Sequence, residues 1–495
     1  MKVLVYGMDG ATWRVIRPML EKGKMNTLRS LMDRGSYGVL KSIEPMISPM
    51  LWTTISSGKV PEKHGVKDFV IPSDAVKTRR IWDILEKYGK TVGIFGHMVT
   101  WPPRPIRHFM IPDVFARGPE TYPPEYQFIR EMAVAEAARA RSLRKYLGYV
   151  AQGLRNGFRW SSLWAAARYM VEEKIRRYGY LDTYYRKRLL KLRFQTDLFV
   201  HLIRKYSPDY LFFYSNVTDA CAHLYWKFHE PQLFPEVTQE EIRRYGHVLE
   251  TVYEASDRAL GQILKALGPD TNVIVLSDHG FQPVPQMEDT KTYVVKSEAL
   301  LKALGVADQV RYVVISDRTY IRSLHEDTAF EDQLMERIRR IQVHGVPLFI
   351  TKRDKVGYVL VTVNNREASP HIRLDETVDI EGKPVPLGKL LSESDTRISG
   401  EHHPDGILVV AGPAFKSGVL VENATVLDIT PTVLALFGIP IGRDMDGKPL
   451  TALLQDTVAQ GISYVDTHDE GYTYSGEEGE YTEELKEHLR GLGYL

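Results

Sequence analysis

The sequence predicts an α/β fold: a mostly parallel central sheet with helices on both faces, carrying a helical insertion and a small α+β subdomain. Short apolar runs end in turn residues, helical patterns alternate with them, and two segments break that rhythm. The runs are KVLVYGMDG from Lys2, TVGIFGH from Thr91, DYLFFYSN from Asp209, NVIVLSDHG from Asn272 and GILVVAGP from Gly406. Consecutive Val, Ile, Leu and Phe, without alternation, mark strands buried on both faces. Ile242, Tyr245, Leu249, Val252, Tyr253, Leu260 and Leu264 recur at helical spacing, which predicts one helix over 240–267. Strands alternating with helices imply parallel pairing.

The first interruption covers 112–206 and is helical and basic. Residues 139–193 hold 15 Lys/Arg against 3 Asp/Glu, with Trp160, Trp164, Tyr169, Tyr178, Tyr180, Tyr184 and Tyr185 among them. Such a segment fits a solvated cap packed on the core, a cap that gathers anionic substrate, a homodimer contact, or a face lying on anionic lipid. The second covers 282–397, where RYVVIS and GYVLVTV flank the helix-like TAFEDQLMERIRRI. It is expected to form part of the substrate-pocket wall. The chain therefore divides into core parts 1–111, 207–281 and 398–455, the helical insertion 112–206, the α+β cap 282–397 and an acidic tail 456–495. From Ser463 onward the tail has 9 Asp/Glu and 2 Lys/Arg, and Leu485, Leu489 and Leu492 suggest a final amphipathic helix.

Bulk properties exclude several classes. A net charge of +1 supplies no whole-chain field for a nucleic acid, and no specific nucleic-acid binding is expected. The single cysteine, Cys221, rules out a disulfide framework and a cysteine-based zinc site. The first apolar run is too short for a signal peptide, and no run reaches the ~18 apolar residues of a spanning helix. A cytoplasmic protein is the expectation.

Candidate chemistry gathers where strands end. Asp9 follows the first run and Asp278-His279-Gly280 follows the fourth, the position where open α/β sheets build their sites. Asp9 alone fits a helix cap equally well. Asp278 and His279 would compete for one cap, whereas a metal uses both. Asp219 and His223 stand four apart, on one face of a helix, as a metal half-site or a surface ion pair. Ser48-Pro49 opening a segment closed by Gly58 reads as a helix with serine at the N-cap. That serine is either a structural cap or a nucleophile whose alkoxide the helix N-terminus stabilises. His402 and His403 share the loop SGEHHPDG, and spacing does not choose between them.

In order, GMDGATW, SPMLWTTISSGKVPEKHGVKDF, TWPPRP, TDACAHLYWKF, VIVLSDHGF, SGEHHPDGILVVAGP and DITPTVLALFGIP with DMDGKPL resemble the alkaline phosphatase superfamily. The similarity is to its type I phosphodiesterase/nucleotide pyrophosphatase branch, in the form found among prokaryotic soluble proteins. It covers nearly all of the chain outside the basic segment. The resemblance implies two divalent metals. Asp9, Asp278, His279 and the nucleophile would hold one; Asp219, His223 and His402 would hold the other. Ser48 becomes the nucleophile because it lies ten residues before Gly58, and His402 is preferred because it ends a Gly-x-His triplet. Three His with three Asp suit zinc, with manganese or iron as alternatives. The implied activity is hydrolysis of a small phosphodiester or monoester through a phospho-Ser48 intermediate.

Two departures narrow this. Nucleotide pyrophosphatases carry an Asn three residues after the nucleophile, where this chain has Leu51, which weakens a nucleotide assignment. Sulfatases need a Cys/Ser-x-Pro-x-Arg motif, which Ser48-Pro49 does not provide. A mutase-like phosphoryl transferase would carry a large insertion soon after Ser48; here the first begins near residue 112. A non-catalytic phosphate- or lipid-binding module would not need a metal-bound serine.

Overall fold

Eight strands form the central sheet, labelled in chain order: β1 (Lys2–Met8), β2 (Ser36–Lys41), β3 (Val92–Phe95), β4 (His108–Ile111), β5 (Tyr210–Ser215), β6 (Thr271–Leu276), β7 (Asp405–Ala411) and β8 (Leu420–Thr425). Their spatial order is β8-β2-β7-β6-β1-β5-β3-β4. The computed structural model describes residues 1–474 apart from 68–70, 114, 117, 138–142, 285–292, 316–317, 326, 354–357, 366 and 394–397. The helix expected around Leu485, Leu489 and Leu492 lies outside the described residues.

The expected mostly parallel sheet is present. β1 pairs in parallel with β5 and β6, β3 with β4 and β5, and β2 with β8. Only β7 runs against its neighbours, β2 and β6. Every residue of β3, β5 and β6 is buried, as unbroken apolar runs require. The ends of the central strands are level: Met8 faces Ser215, and Gly7 faces Leu276.

Four helices frame the candidate residues and the basic segment: α1 (Ser48–Ser57), α2 (Tyr180–Tyr206), α3 (Val217–His229) and α4 (Val248–Leu267). The single helix expected over 240–267 is divided, with a separate short helix at Gln239–Tyr245. The break falls at Gly246, where a Cβ would stand 2.7 Å from the Ile242 carbonyl oxygen and 3.1 Å from that of Phe228. The basic segment folds as helices Gln127–Ala137, Leu143–Arg155 and Trp160–Arg176 followed by α2.

The chain clusters into two units. Among the described residues, the first takes Met1–His229, Glu240–Gln282 and 400–474; it contains the eight-stranded sheet and the basic helices. The second takes Glu230–Gln239 and Pro283–Ser399. Within the second, an antiparallel sheet runs Phe349–Arg353, Val359–Val363, Arg318–Ser323, Val310–Ile315. Leu334 and Ile338 of helix Thr328–Arg339 belong to its core with Ile321, Val359 and Val361, the α+β arrangement expected. Among the described residues, no helix is long and apolar enough to cross a membrane.

Candidate metal centre and active site

Strand polarity delivers the candidate residues to one edge of the sheet. Asp9 follows β1, Asp278 and His279 follow β6, and Asp219 and His223 stand in α3, which begins just after β5. β7 is antiparallel, so its start, not its end, reaches this edge. The short strand Gly400–His403 precedes β7 and pairs with Gly280–Pro283, which brings in His402. Ser277 ties these ends together: its hydroxyl donates to the Ala11 carbonyl at 2.9 Å and accepts from the Ile407 N–H at 2.8 Å. Two glycines permit the closeness. Gly10 has φ +63° and lies against Phe281 and Asp219, and a Cβ on Gly280 would stand 2.0 Å from the Asp405 carbonyl oxygen.

Six of the seven predicted residues converge. His279 Nε2 lies 3.4 Å from Asp9 Oδ1, 3.6 Å from Asp278 Oδ2 and 3.9 Å from Asp219 Oδ1. Asp219 Oδ1 is also 3.3 Å from His402 Nε2 and 3.5 Å from His223 Nε2. Asp9, Asp278 and His279 form one compact donor group; Asp219, His279 and His402 form another. His402 rather than His403 enters the cluster, because the His403 Nδ1 accepts the Asp405 N–H at 3.1 Å within its own turn.

The histidine tautomers bear on what the cluster can hold. His223, His279 and His402 each direct Nδ1 at a backbone carbonyl, those of Gly400 (3.1 Å), Gly280 (2.9 Å) and Met46 (2.9 Å). A carbonyl only accepts, so in each ring Nδ1 carries the proton and a neutral ring turns its Nε2 lone pair inward. Carbonyls behind the ring orient metal-binding histidines in this way. The like Nε2 atoms of His402 and His223 crowd to 3.2 Å of each other.

The carboxylates pose the same problem. Asp9, Asp219 and Asp278 are at most 1% exposed, and Asp9 Oδ1, Asp278 Oδ2 and His279 Nε2 are buried without a hydrogen-bond partner. Burial, then Asp278 and Asp219, push the Asp9 carboxyl well above the carboxylate range. Burial, with Asp219 nearby, raises Asp278 to about 7. Burial raises Asp219 too, but His223 and then His402 outweigh it and hold it well below its ordinary value. Burial and the neighbouring His402 keep His279 neutral. Three buried acids and three inward-facing Nε2 atoms crowd one small volume, and the donor set fits divalent cations.

Ser48 requires a correction. The helix it was expected to cap begins one residue earlier: Ile47 is the N-cap, with extended backbone, and no side chain caps α1. Ser48 is already helical, so its hydroxyl is not used in capping. Pro49 is accordingly second in the helix rather than first, while Gly58, at φ +69°, closes it as expected. Ser48 is 4% exposed, and the carbonyl of Met46, two residues earlier, holds the His402 ring.

Sequence reasoning missed several supporting groups. The Tyr214 hydroxyl donates to Asp9 Oδ2 and that of Thr218 to the Asp9 carbonyl at 2.5 Å. Phe281 walls the cluster, with its ring centroid 4.8 Å from that of His223 and 5.3 Å from that of His402. Trp52 of α1 packs edge-on against Tyr214 at 5.0 Å, linking the Ser48 helix to the Asp9 side of the cluster. The available signal for Tyr214 was position: a polar-tipped ring near the carboxyl end of a buried strand.

The DMDGKPL segment anchors the other end of α1. The Gly58 carbonyl accepts from the Asp446 and Gly447 N–H groups, and Lys59 Nζ sits 2.5 Å from Asp444 and 2.6 Å from Asp469. Lys59 is 4% exposed in its side chain, whereas the two acids are 31% and 26% exposed. Lys59→Met should therefore cost about 2 kcal/mol, below the usual figure for a broken buried pair because water reaches both carboxylates. Burial pushes the Asp469 carboxyl up, but Lys59, Thr78 and the Arg79 N–H outweigh it and hold it below its ordinary range. A depressed carboxyl stabilises above its unfolded pKa, and that contribution is lost as pH falls through the folded value. The wild-type advantage over Lys59→Met in thermal unfolding should shrink below about pH 4. An advantage constant down to pH 2 would mean that Asp469 contributes nothing to it.

A match to the family described as type I phosphodiesterase/nucleotide pyrophosphatase covers residues 3–370. The chain belongs to the type I phosphodiesterase/nucleotide pyrophosphatase family. This family is a branch of the alkaline phosphatase superfamily, as the motif order implied. In this phosphodiesterase-family chain five of the six clustered residues lie inside the matched region; His402 lies beyond it and is placed by the antiparallel β7. Among solved structures, the human and murine ectonucleotide pyrophosphatase/phosphodiesterase 5 are similar to it, each with 14% identity and a TM-score of 0.49, over 89% of this chain and 95% of theirs. An inactive variant of the murine protein in complex with AMP gives the same values. No curated protein sequence matches the chain.

Proposed function

We propose that this chain is a two-metal phosphodiesterase that cleaves a small phosphodiester through a covalent phospho-Ser48 intermediate. The observation that carries the reading is the convergence of three inward-facing Nε2 atoms on three buried, mutually repelling carboxylates, in a chain of this family. Asp9, Asp278, His279 and Ser48 would hold one cation and Asp219, His223 and His402 the other, with zinc favoured over manganese and iron by the donor set. When bound, such cations supply positive charge that favours the serine alkoxide and offsets charge on the phosphoryl oxygens.

The chain's own residues do the rest. The α1 N-terminus presents the positive end of its dipole to an anion, although Pro49 contributes no N–H. The Ser48 oxygen forms a bond to phosphorus as the bond to the leaving oxygen breaks, and the serine proton is released. Water then attacks phosphorus, frees Ser48 and leaves a monoester. Tyr214 holds the Asp9 carboxylate, Thr218 the Asp9 backbone and the three carbonyls the His rings, so that little reorganises during either step.

Leu51 is fully buried where nucleotide pyrophosphatases carry a phosphate-binding Asn, so a simple diester is the preferred substrate class rather than a nucleotide. The test is a panel on zinc- and manganese-reconstituted protein: bis-p-nitrophenyl phosphate, p-nitrophenyl phosphate, p-nitrophenyl thymidine phosphate and p-nitrophenyl sulfate. The diester should turn over at least about tenfold faster than the monoester and the sulfate. Hydrolysis of none by the metal-loaded protein would overturn the proposal.

A further inference from the structure

Helix Trp160–Arg176 carries an outer face that no other described part of the chain covers. Trp160, Trp164, Val171 and Ile175 are 75%, 65%, 57% and 75% exposed. At helical spacing, these positions and Ala167 fall in one stripe, opposite the buried Ser162 and Ala166. The aromatic residues of the segment thus divide: Tyr184 and Tyr185 are buried, while both tryptophans point to solvent.

The margins of the stripe are cationic. Arg168 and Lys174 border it, and the Arg168 guanidinium lies 5.8 Å from the Trp164 ring centroid. Arg159, Arg176 and Arg177 are also exposed nearby. The two acids of the helix are engaged locally: Glu172 with Arg168 at 2.7 Å and Tyr178 at 2.9 Å, Glu173 with Tyr169 at 3.0 Å. An apolar axis between basic edges is unfavourable in water and complementary to an anionic bilayer. Indole rings settle at headgroup level, aliphatic side chains reach the acyl boundary, and cations meet lipid phosphates. A second copy fits less well, because both margins of the stripe are basic and a two-fold contact would set basic margin against basic margin.

We infer that Trp160–Arg176 docks this protein on anionic membrane surfaces, lying in the interface plane with Trp160, Trp164, Val171 and Ile175 facing the lipid. The test is co-sedimentation of the full chain with phosphatidylcholine vesicles, with and without roughly 30 mol% phosphatidylglycerol. At low salt the anionic vesicles should bind at least about tenfold more protein, and added salt should reduce that binding. Trp160→Ser with Trp164→Ser, and separately Arg168→Glu with Lys174→Glu, should each lower binding about tenfold or more. Both pairs are exposed, so unchanged circular dichroism and thermal unfolding are expected. Absence of anionic-vesicle binding, or binding that both double variants retain, would overturn the inference. So would a homodimer that dissociates in the tryptophan variant while the wild type ignores vesicles.

Discussion

Ser48→Ala should reduce turnover by on the order of a thousandfold or more while bound metal and thermal stability stay near wild type. The expectation rests on how α1 is held. Its packing comes from Trp52 against Tyr214, from the Thr430 hydroxyl on the Ile55 carbonyl at 2.7 Å, and from the DMDGKPL segment on Gly58. The Ser48 side chain caps nothing, and alanine is a good helix former, so the fold should lose little. Three measurements decide: steady-state turnover, metal content, and acid-quenched trapping of phosphoserine from a labelled diester. Wild-type turnover in the alanine variant would remove Ser48 as nucleophile, whatever the fate of the metals.

Asp278→Asn should produce a crossover in stability. In the metal-loaded protein it removes a ligand, so metal content should fall, with affinity lowered at least about a hundredfold, and the unfolding temperature should drop. In chelator-treated protein it removes one of three buried acids that repel one another. Above the Asp278 pKa of about 7, the metal-free variant should unfold at least about 2 °C above metal-free wild type. The sign follows from the raised carboxyl: ionising it in the metal-free fold costs stability as pH rises, and the amide removes that cost. His402→Ala has no such compensation and should lower metal content without stabilising the stripped protein. If Asp278→Asn destabilises the loaded and stripped forms equally, the cluster is a structural network rather than a cation site.

The sequence revealed strands according to how evenly each is buried. β1, β3, β5, β6 and β7 are buried along nearly their whole length and stood out as continuous apolar runs. β2 and β8 mix buried with part-exposed and exposed residues near one margin of the sheet, and β4 has only four residues at the other. None of these offered a run to read. Asp219 and His223 were legible because helical periodicity places i and i+4 together. His402 was distinguishable from His403 only through the family pattern, since neighbours in one turn differ in direction and not in composition. The Ser48 cap was misplaced by one residue because Ser-Pro signals a helix start without fixing which residue first turns helical. The three orienting carbonyls belong to backbone, on which residue type is silent.

The lone antiparallel strand also governs when the molecule can be finished. β7 lies between β2 and β6, both made long before it, and brings the last histidine with it. Until residues 400–411 leave the ribosome, β2 and β6 each present an open edge and the cluster lacks His402. The core must therefore mature late in synthesis, through contacts distant in sequence, a slow and exposed class of assembly. Metal acquired earlier would meet an incomplete donor set. Translation of residues 400–425 thus acts as the step after which both the sheet and its chemistry can exist.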